Sequence, residues 1–127
     1  MSSPARNTPA VLVVEDEILI RMDVVDIIED AGYKTYEAGT ADAAVKLMER
    51  HGDIGILFTD VELPGSMDGL RLAAHIRDGW PPVVIIIASG NIGIQKTAMP
   101  EGATFLAKPY AASLISKTLH EASLKYQ

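Results

Sequence analysis

The chain has 127 residues, of which 48% are hydrophobic and 22% are charged, and its formal net charge is −6. This length suits a single domain, and the acidic balance disfavours direct binding to nucleic acid, which requires a basic surface. The absence of cysteine excludes disulfides and thiol chemistry, and without a membrane span or a signal core among the apolar runs we expect a cytoplasmic protein.

Extended and helical patterns alternate along the chain. Two of the predicted strands are almost wholly apolar, which is typical of parallel strands covered by helices on both faces. The predicted helices carry apolar side chains at helical spacing, and Gly32 ends the first of them. The predicted elements, in chain order, are a disordered arm over 1–9, a strand over 10–15, a helix over 17–31, an edge strand over 33–38, a helix over 41–51, a strand over 54–59, a helix over 68–77, a strand over 83–88, a strand over 103–107 and a helix over 111–125.

This order predicts one α/β domain over residues 10–125, with a doubly wound five-stranded parallel sheet and helices on both of its faces. A further helix should follow Ser89, but the glycines and the proline of that segment leave room for about two turns. We expect this fourth helix to be short or mobile. In the first helix, we expect the stripe of Ile18, Leu19 and Met22 to lie mostly in the core.

Four polar residues stand where four of the predicted strands end, namely Asp16, Asp60, Ser89 and Lys108. Parallel strands place such residues at one edge of the sheet, which is where open α/β sheets bind ligands. Glu15 adds a third carboxylate, and close carboxylates repel one another unless a cation or a proton relieves them. Oxygen ligands without histidine or cysteine favour Mg²⁺. A metal, an ammonium group and a hydroxyl around a carboxylate nucleophile predict phosphoryl transfer.

The chain resembles the receiver domain of two-component response regulators over essentially all of residues 10–125. The resemblance implies a flavodoxin-like strand order, 2-1-3-4-5, and a regulatory phospho-acceptor whose only catalysis is its own phosphorylation and aspartyl-phosphate hydrolysis. It rests on five motifs in order: Val-Leu-Val-Val-Glu-Asp-Glu at 11–17, Thr-Asp-Val-Glu-Leu-Pro at 59–64, Met-Asp-Gly-Leu at 67–70, Ile-Ala-Ser-Gly at 87–90 and Phe-Leu-Ala-Lys-Pro-Tyr at 105–110.

The resemblance assigns the acceptor and the metal site to particular residues. Asp60 matches the phospho-acceptor aspartate, and Asp16 matches the acid that binds Mg²⁺. Glu15 occupies the acidic position before it and would act on the metal through a water, while the backbone carbonyl of Glu62 would complete the protein ligands. Glu62 and Asn91 also occupy positions that tune the aspartyl-phosphate lifetime in this family. The implied cofactor is therefore Mg²⁺.

The same resemblance implies a switch beside the acceptor. Lys108 matches the lysine that binds the phosphoryl group, and Ser89 matches the hydroxyl residue that bonds a phosphoryl oxygen. Phe105 matches the aromatic residue that moves when the hydroxyl does. Pro109 follows Lys108, where the family commonly has a cis peptide bond. Phosphorylation would thus change a protein-binding surface.

The implied partners are a sensor histidine kinase or a histidine phosphotransfer protein, and an unknown downstream protein target, with no direct nucleic acid or membrane contact. Part of the stripe of Ile18, Leu19 and Met22, with Pro109 and Tyr110, would dock the phosphodonor. Because nothing follows the last predicted helix, we expect a stand-alone receiver, with a phosphate sink without output as one alternative.

Two alternatives come from other classes of protein. A flavin- or nucleotide-binding doubly wound module would need a phosphate-binding loop or stacked aromatic rings where acids stand in this sequence. A phosphohydrolase with an aspartyl-phosphate intermediate would need a cap domain, for which the chain has no spare length.

Each site residue also has a simpler interpretation. Glu15 and Asp16 could cap the first helix, and Lys108 alone could be a solvated charge. Ser89 could belong to an ordinary turn, and Phe105 could be a core residue. The site interpretation depends on all of these residues sharing one edge of the sheet.

Overall fold

The computed structural model describes residues 8–90 and 99–126 of the chain. The predicted elements in this part are confirmed, with bounds within two residues of those expected. Residues 1–7 of the predicted arm over 1–9, and most of the predicted fourth helix, lie outside the described residues. The elements are β1 (Ala10–Val14), α1 (Ile18–Asp30), β2 (Thr35–Ala38), α2 (Ala41–Arg50), β3 (Ile54–Asp60), α3 (Gly69–Gly79), β4 (Val84–Ser89), β5 (Thr104–Ala107) and α4 (Ala112–Lys125).

The five strands form one parallel sheet in the order β2-β1-β3-β4-β5, as the resemblance implied. β1, β3 and β4 occupy the inner positions, and every residue of β1 and β3 is buried. Their continuous apolar sequences follow from this placement, because a central strand of a parallel sheet has helices over both faces. β2 lies at an edge and is only partly buried, in agreement with its alternating sequence.

Two buried clusters lie on opposite faces of the sheet. One packs α2 and α3 against the strands and includes Leu57 and Leu72, and the other packs α1 and α4 and includes Phe58, Ile28 and Ile115. Neighbouring residues of β3 thus face opposite clusters, as the alternation of side chains along a strand requires. Because all five strands run parallel, their carboxyl ends lie at the same edge of the sheet.

The prediction that the stripe at the start of α1 lies in the core is wrong. Ile18, Leu19 and Met22 are 61%, 80% and 54% exposed, whereas Val24 and Val25, further along the helix, are buried. Leu19 and Met22 lie on the side of α1 that also carries the exposed Asp26 and Asp30, and this side faces away from the sheet.

The helices differ in how they begin. Thr40 caps α2 by accepting the backbone N–H of Ala43 at 3.1 Å, and Asp68 caps α3 by accepting that of Arg71 at 2.9 Å. Glu17, which precedes α1, makes no side-chain capping bond. Within the described ranges, none of the helices is both long and apolar enough to cross a membrane.

Candidate functional site

Three carboxylates converge at the carboxyl edge of the sheet, and we call Glu15, Asp16 and Asp60 the acidic cluster. One carboxylate oxygen of each lies within 4.8 Å of the others. The convergence follows from the pairing of Val14 with Thr59 in β1 and β3, which brings the next residue of each strand to the same level. Glu15 and Asp60 are only 5% and 9% exposed, whereas Asp16 lies in solvent.

Lys108 extends from the end of β5 into the acidic cluster. Its Nζ lies 3.2 Å from Oδ2 of Asp60 and 3.7 Å from Oε1 of Glu15. Partial burial alone would lower the pKa of Lys108, but the charge and hydrogen bond of Asp60 and the charge of Glu15 outweigh it and raise the pKa. Lys108 therefore remains an ammonium ion at neutral pH, and one positive charge is shared between two carboxylates.

The acidic cluster retains an excess of negative charge. Burial raises the pKa of Glu15, and the nearby charge of Asp60 adds to this effect. The backbone N–H of Glu17, which donates to Oε2 of Glu15 at 3.1 Å, and the charge of Lys108 act in the opposite direction without cancelling it. A divalent cation would relieve this repulsion, and three carboxylate oxygens in reach of one another are ligands that suit Mg²⁺. The residues present fit such an ion.

Ser89 lies at the end of β4, the strand next to the one that carries Asp60. Asp60 pairs with Ala88 across β3 and β4, so Ser89 follows one residue further towards the carboxyl edge. Ser89 is buried, and its backbone carbonyl accepts the N–H of Lys108 at 2.9 Å. The structure thus brings Ser89 to the edge of the sheet that carries Asp60 and Lys108. The peptide bond between Lys108 and Pro109 is cis, as expected.

The remaining predicted site residues are less closely placed. Glu62 is exposed and lines a cavity of about 480 Å³ together with Asp16 and Asp60. Within the described residues, Phe105 is half-buried in β5 and belongs to neither of the two buried clusters. Asn91 lies outside the described residues, so its predicted effect on phosphate lifetime stays a prediction.

Gly69 has a structural role at the site that the sequence analysis did not identify. Its backbone N–H donates to the carbonyl of Val61 at 2.7 Å, and a Cβ atom at Gly69 would overlap the carbonyl group of Asp60. The start of α3 therefore lies directly against the backbone of Asp60. The sequence contains a signal for this position. Asp68 is a typical helix-capping residue, so Gly69 is expected to be the first residue of the helix.

Arg21 is a second residue that the sequence analysis missed. Its side chain donates from Nη1 to the backbone carbonyl of Glu15 and from Nε to the carboxylate of Glu37. No pattern in the sequence signals these bonds, because an arginine on an amphipathic helix ordinarily indicates a solvated face.

Comparison with known proteins identifies the family of the chain. Residues 11–120 match the response regulator receiver domain. The chain is 35% identical over 121 residues to the transcriptional regulatory protein PdtaR of Mycobacterium tuberculosis, covering 89% of this chain and 58% of PdtaR. It is 33% identical over 119 residues to the sensor kinase CckA of Brucella abortus, covering 91% of this chain and 12% of CckA. The chain thus spans little more than half of one relative and a small part of the other.

Solved structures agree with this match. The receiver domain of NtrX from Brucella abortus superposes with a TM-score of 0.83 at 33% identity, covering 90% of this chain and 98% of that one. A response regulator receiver protein from Sinorhizobium medicae has a TM-score of 0.86 at 18% identity, covering 94% and 98%, and supports the fold alone. The chain belongs to the response regulator receiver domain family of two-component systems.

Proposed function

We propose that Asp60 accepts a phosphoryl group from a phosphohistidine of a sensor histidine kinase or of a histidine phosphotransfer protein. Receiver domains are regulatory phospho-acceptors that interact with sensor histidine kinases. The observation that carries the proposal is the ion pair of Lys108 with Asp60, within an acidic cluster that also contains Asp16. A fixed ammonium ion beside the carboxylate, together with acids that can hold a divalent cation, offsets the negative charge that a phosphoryl group brings.

The proposed metal ligands are the carboxylates of Asp16 and Asp60, with the backbone carbonyl of Glu62, and Glu15 through a water. When bound, Mg²⁺ neutralises negative charge on the carboxylates and on the oxygens of the transferring phosphoryl group. The spacing of the acidic cluster and the raised pKa of Glu15 support this assignment, because both indicate a site that gains stability from a cation.

In the proposed transfer, a carboxylate oxygen of Asp60 attacks the phosphorus of the donor. A P–O bond forms as the P–N bond to the imidazole breaks, and its electron pair returns to the imidazole nitrogen of the donor. The Lys108 ammonium group follows the charge from the carboxylate to the phosphoryl oxygens, since it already lies within 3.2 Å of Oδ2. The product carries about two negative charges where the carboxylate carried one.

The new charge would be transmitted through Ser89 and Phe105. The side chain of Ser89 moves towards the phosphoryl group, where its hydroxyl donates to a phosphoryl oxygen. Phe105 then rotates into the space that Ser89 has left. Phe105 can move at modest cost because it is only half-buried and outside both clusters. The result is a shift of population towards a state with a different protein-binding surface near β5 and α4.

The exposed apolar side chains near the start of α1 form the proposed docking site for the phosphodonor. Ile18, Leu19 and Met22 leave apolar surface in water, and Leu19 also lines a groove of about 580 Å³ that ends at Pro109 and Tyr110. This groove includes Lys108, so a donor bound along it would present its histidine to the acceptor. Exposed apolar surface next to a reactive group is typical of a protein-binding site.

The test is modification by acetyl phosphate or beryllofluoride, with and without Mg²⁺, followed by intact-protein mass spectrometry for the phosphoryl adduct and by calorimetry for beryllofluoride. We expect a metal-dependent adduct in the wild type and none in Asp60→Asn. Asp68→Asn is the matched control, because Asp68 lines the same cavity and asparagine also caps helices. Equal modification of Asp60→Asn and the wild type would exclude Asp60 as the acceptor.

A further inference from the structure

The guanidinium group of Arg21 joins three elements beside the acidic cluster. Arg21 lies in the second turn of α1, and its side chain turns back towards the end of β1. Nη1 donates to the backbone carbonyl of Glu15 at 2.7 Å, and Nε donates to Oε1 of Glu37 in β2 at 3.1 Å. The Arg21 side chain is only 19% exposed, so both bonds are partly shielded from water. One side chain thus ties α1 and β2 to the loop that carries the acids.

Within residues 8–90 and 99–126, this loop has a few other attachments, one of which is the ion pair of Lys108 with Glu15 at 3.7 Å. The N–H of Glu15 donates to the carbonyl of Ala38 at 3.0 Å, and the N–H of Glu17 donates to the Glu15 carboxylate. The start of α1 has no side-chain cap to hold it in place. Among these attachments, Arg21 alone holds the carbonyl that Glu15 shares with the peptide bond to Asp16. Because a peptide unit is planar, fixing this carbonyl also fixes the direction in which the chain enters Asp16.

The surroundings of Arg21 leave room for the guanidinium at this point. A Cβ atom added at Gly39, just after β2, would lie 3.3 Å from Nη1 of Arg21. A side chain at residue 39 would therefore press on the guanidinium, and glycine keeps the space clear. The carboxylate of Glu37, two residues earlier, holds the other side of the same group. The planar fork of arginine suits a position with two acceptors in fixed directions.

We propose that Arg21 is a positioning residue for the metal site, which holds Asp16 in the orientation that binds Mg²⁺. The inference rests on the proposed function, because it concerns the same ion. Arg21 acts through the backbone of Glu15 and does not contact the metal. Residues that orient metal ligands in this way typically contribute about 10–100-fold to metal affinity.

If Arg21 is removed, its positioning role and its charge predict opposite changes in the affinity for Mg²⁺. The inference can therefore be tested by measuring that affinity. A positive charge near a cation site weakens metal binding, so removal of Arg21 by its charge alone should tighten the binding of Mg²⁺. Loss of the hydrogen bond that positions the backbone of Glu15 should instead weaken the binding of Mg²⁺. Arg21→Lys separates the two further, because it keeps the charge while an ammonium group cannot reproduce the fork to Glu15 and Glu37.

The experiment is titration of Mg²⁺ by isothermal calorimetry with the wild type, Arg21→Met and Arg21→Lys. We expect the Kd for Mg²⁺ to rise about tenfold or more in Arg21→Met, and to rise also in Arg21→Lys. Arg50→Met is the matched control, because Arg50 is exposed and ends α2 at the opposite edge of the sheet. An unchanged or lower Kd in Arg21→Met overturns the inference.

Glu37→Gln keeps the inference testable if circular dichroism shows that Arg21→Met does not fold. It retains Arg21 but weakens one of its two attachments, and we then expect a severalfold rise in Kd, while an unchanged Kd overturns the inference. The wild type distinguishes this inference from the proposed function. A wild type that takes up no Mg²⁺ contradicts the metal site itself, whereas normal uptake by the wild type and all variants contradicts only the role of Arg21.

Discussion

The ammonium group of Lys108 lies 3.2 Å from Oδ2 of Asp60, so a residue that follows the edge strand β5 reaches the acid at the end of the central strand β3. The same group lies 3.7 Å from Glu15 and therefore serves two carboxylates at once. One lysine cannot neutralise three acids, and in the described part of the chain no other cation forms an ion pair with the acidic cluster. The proposed roles of Lys108 and of Mg²⁺ are thus complementary and can be separated by mutation.

Lys108→Ala should separate transfer from metal binding. We expect phosphorylation by acetyl phosphate to slow about 100-fold, because a fixed donor to the transferring oxygens is lost. The Kd for Mg²⁺ should stay the same or fall, because Lys108 competes with the metal for the charge of Asp60 and Glu15. Stopped-flow phosphorylation and calorimetry measure the two quantities. Lys117→Ala, at an exposed position of α4, is the control, and a normal transfer rate in Lys108→Ala would remove Lys108 from the mechanism.

Glu15→Gln should stabilise the protein at neutral pH without Mg²⁺. Burial raises the pKa of Glu15 above its ordinary 4.5, so the folded protein binds this proton more tightly than the unfolded chain does. The stability contributed by Glu15 is therefore complete below pH 4.5 and is lost as the pH rises through the raised pKa. Glutamine removes the charge and can still accept the N–H of Glu17.

Thermal unfolding between pH 4 and pH 8 tests this pH dependence. The midpoint of Glu15→Gln should exceed that of the wild type at pH 7, converge with it at the acid end, and lose its advantage when Mg²⁺ is added. Glu49→Gln, on the exposed face of α2, is the control for the change in net charge. A gain that is the same at every pH would show that the charge of Glu15 is not its cause.

The positions of the acids and of Lys108 at one edge of the sheet could be predicted from the sequence, because the end of a strand can be recognised within a short segment. Each apolar run in the sequence ends at a polar residue, and parallel pairing of the strands brings these ends to the same level. The pairing of Val14 with Thr59 aligns the ends of β1 and β3 in this way. The bonds of Arg21 could not be predicted in this way. They depend on how α1 crosses the end of β1, which is set by tertiary packing and not by the spacing of residues along the helix.

The exposure of Leu19 and Met22 was mispredicted for a related reason. Apolar residues at the start of α1 lie on more than one side of the helix, and periodicity alone does not show which side the sheet covers. Leu19 and Met22 lie on the side that also carries the exposed Asp26, whereas Val25 lies on the side that packs against the sheet. The error is informative, because exposed apolar side chains close together next to the proposed site are typical of a protein-binding surface.

Leu19→Ser should therefore affect phosphotransfer, whereas Val25→Ala should affect the stability of the fold. We expect Leu19→Ser to change the free energy of unfolding by less than about 0.5 kcal/mol, and Val25→Ala to lower it by roughly 1–3 kcal/mol. Phosphotransfer from a histidine kinase domain should slow in Leu19→Ser, while modification by acetyl phosphate stays normal because no protein docks. Urea unfolding and phosphotransfer assays measure both effects. If transfer from the kinase is equally fast in Leu19→Ser and the wild type, the donor docks elsewhere.

Gly69→Ala should disturb the acceptor through the backbone. A methyl group at residue 69 would overlap the carbonyl of Asp60 and lie 2.8 Å from Cα of Val61, so α3 or β3 must shift. We expect a loss of roughly 1–3 kcal/mol in the free energy of unfolding, which is typical of overpacking against structure that cannot give way. A displaced Asp60 should also weaken beryllofluoride binding in the protein that remains folded.

Gly79→Ala is the matched control because it introduces the same methyl group at the other end of α3. No atom lies within 4 Å of a Cβ atom at Gly79, and its φ is not positive. Alanine there should leave stability unchanged or raise it by up to about 1 kcal/mol, because it restricts the unfolded chain more than glycine does. Urea unfolding of the two variants decides the prediction. Equal effects at both ends of α3 would mean that the close approach of Gly69 to Asp60 carries no strain, and that the acceptor backbone can adjust freely.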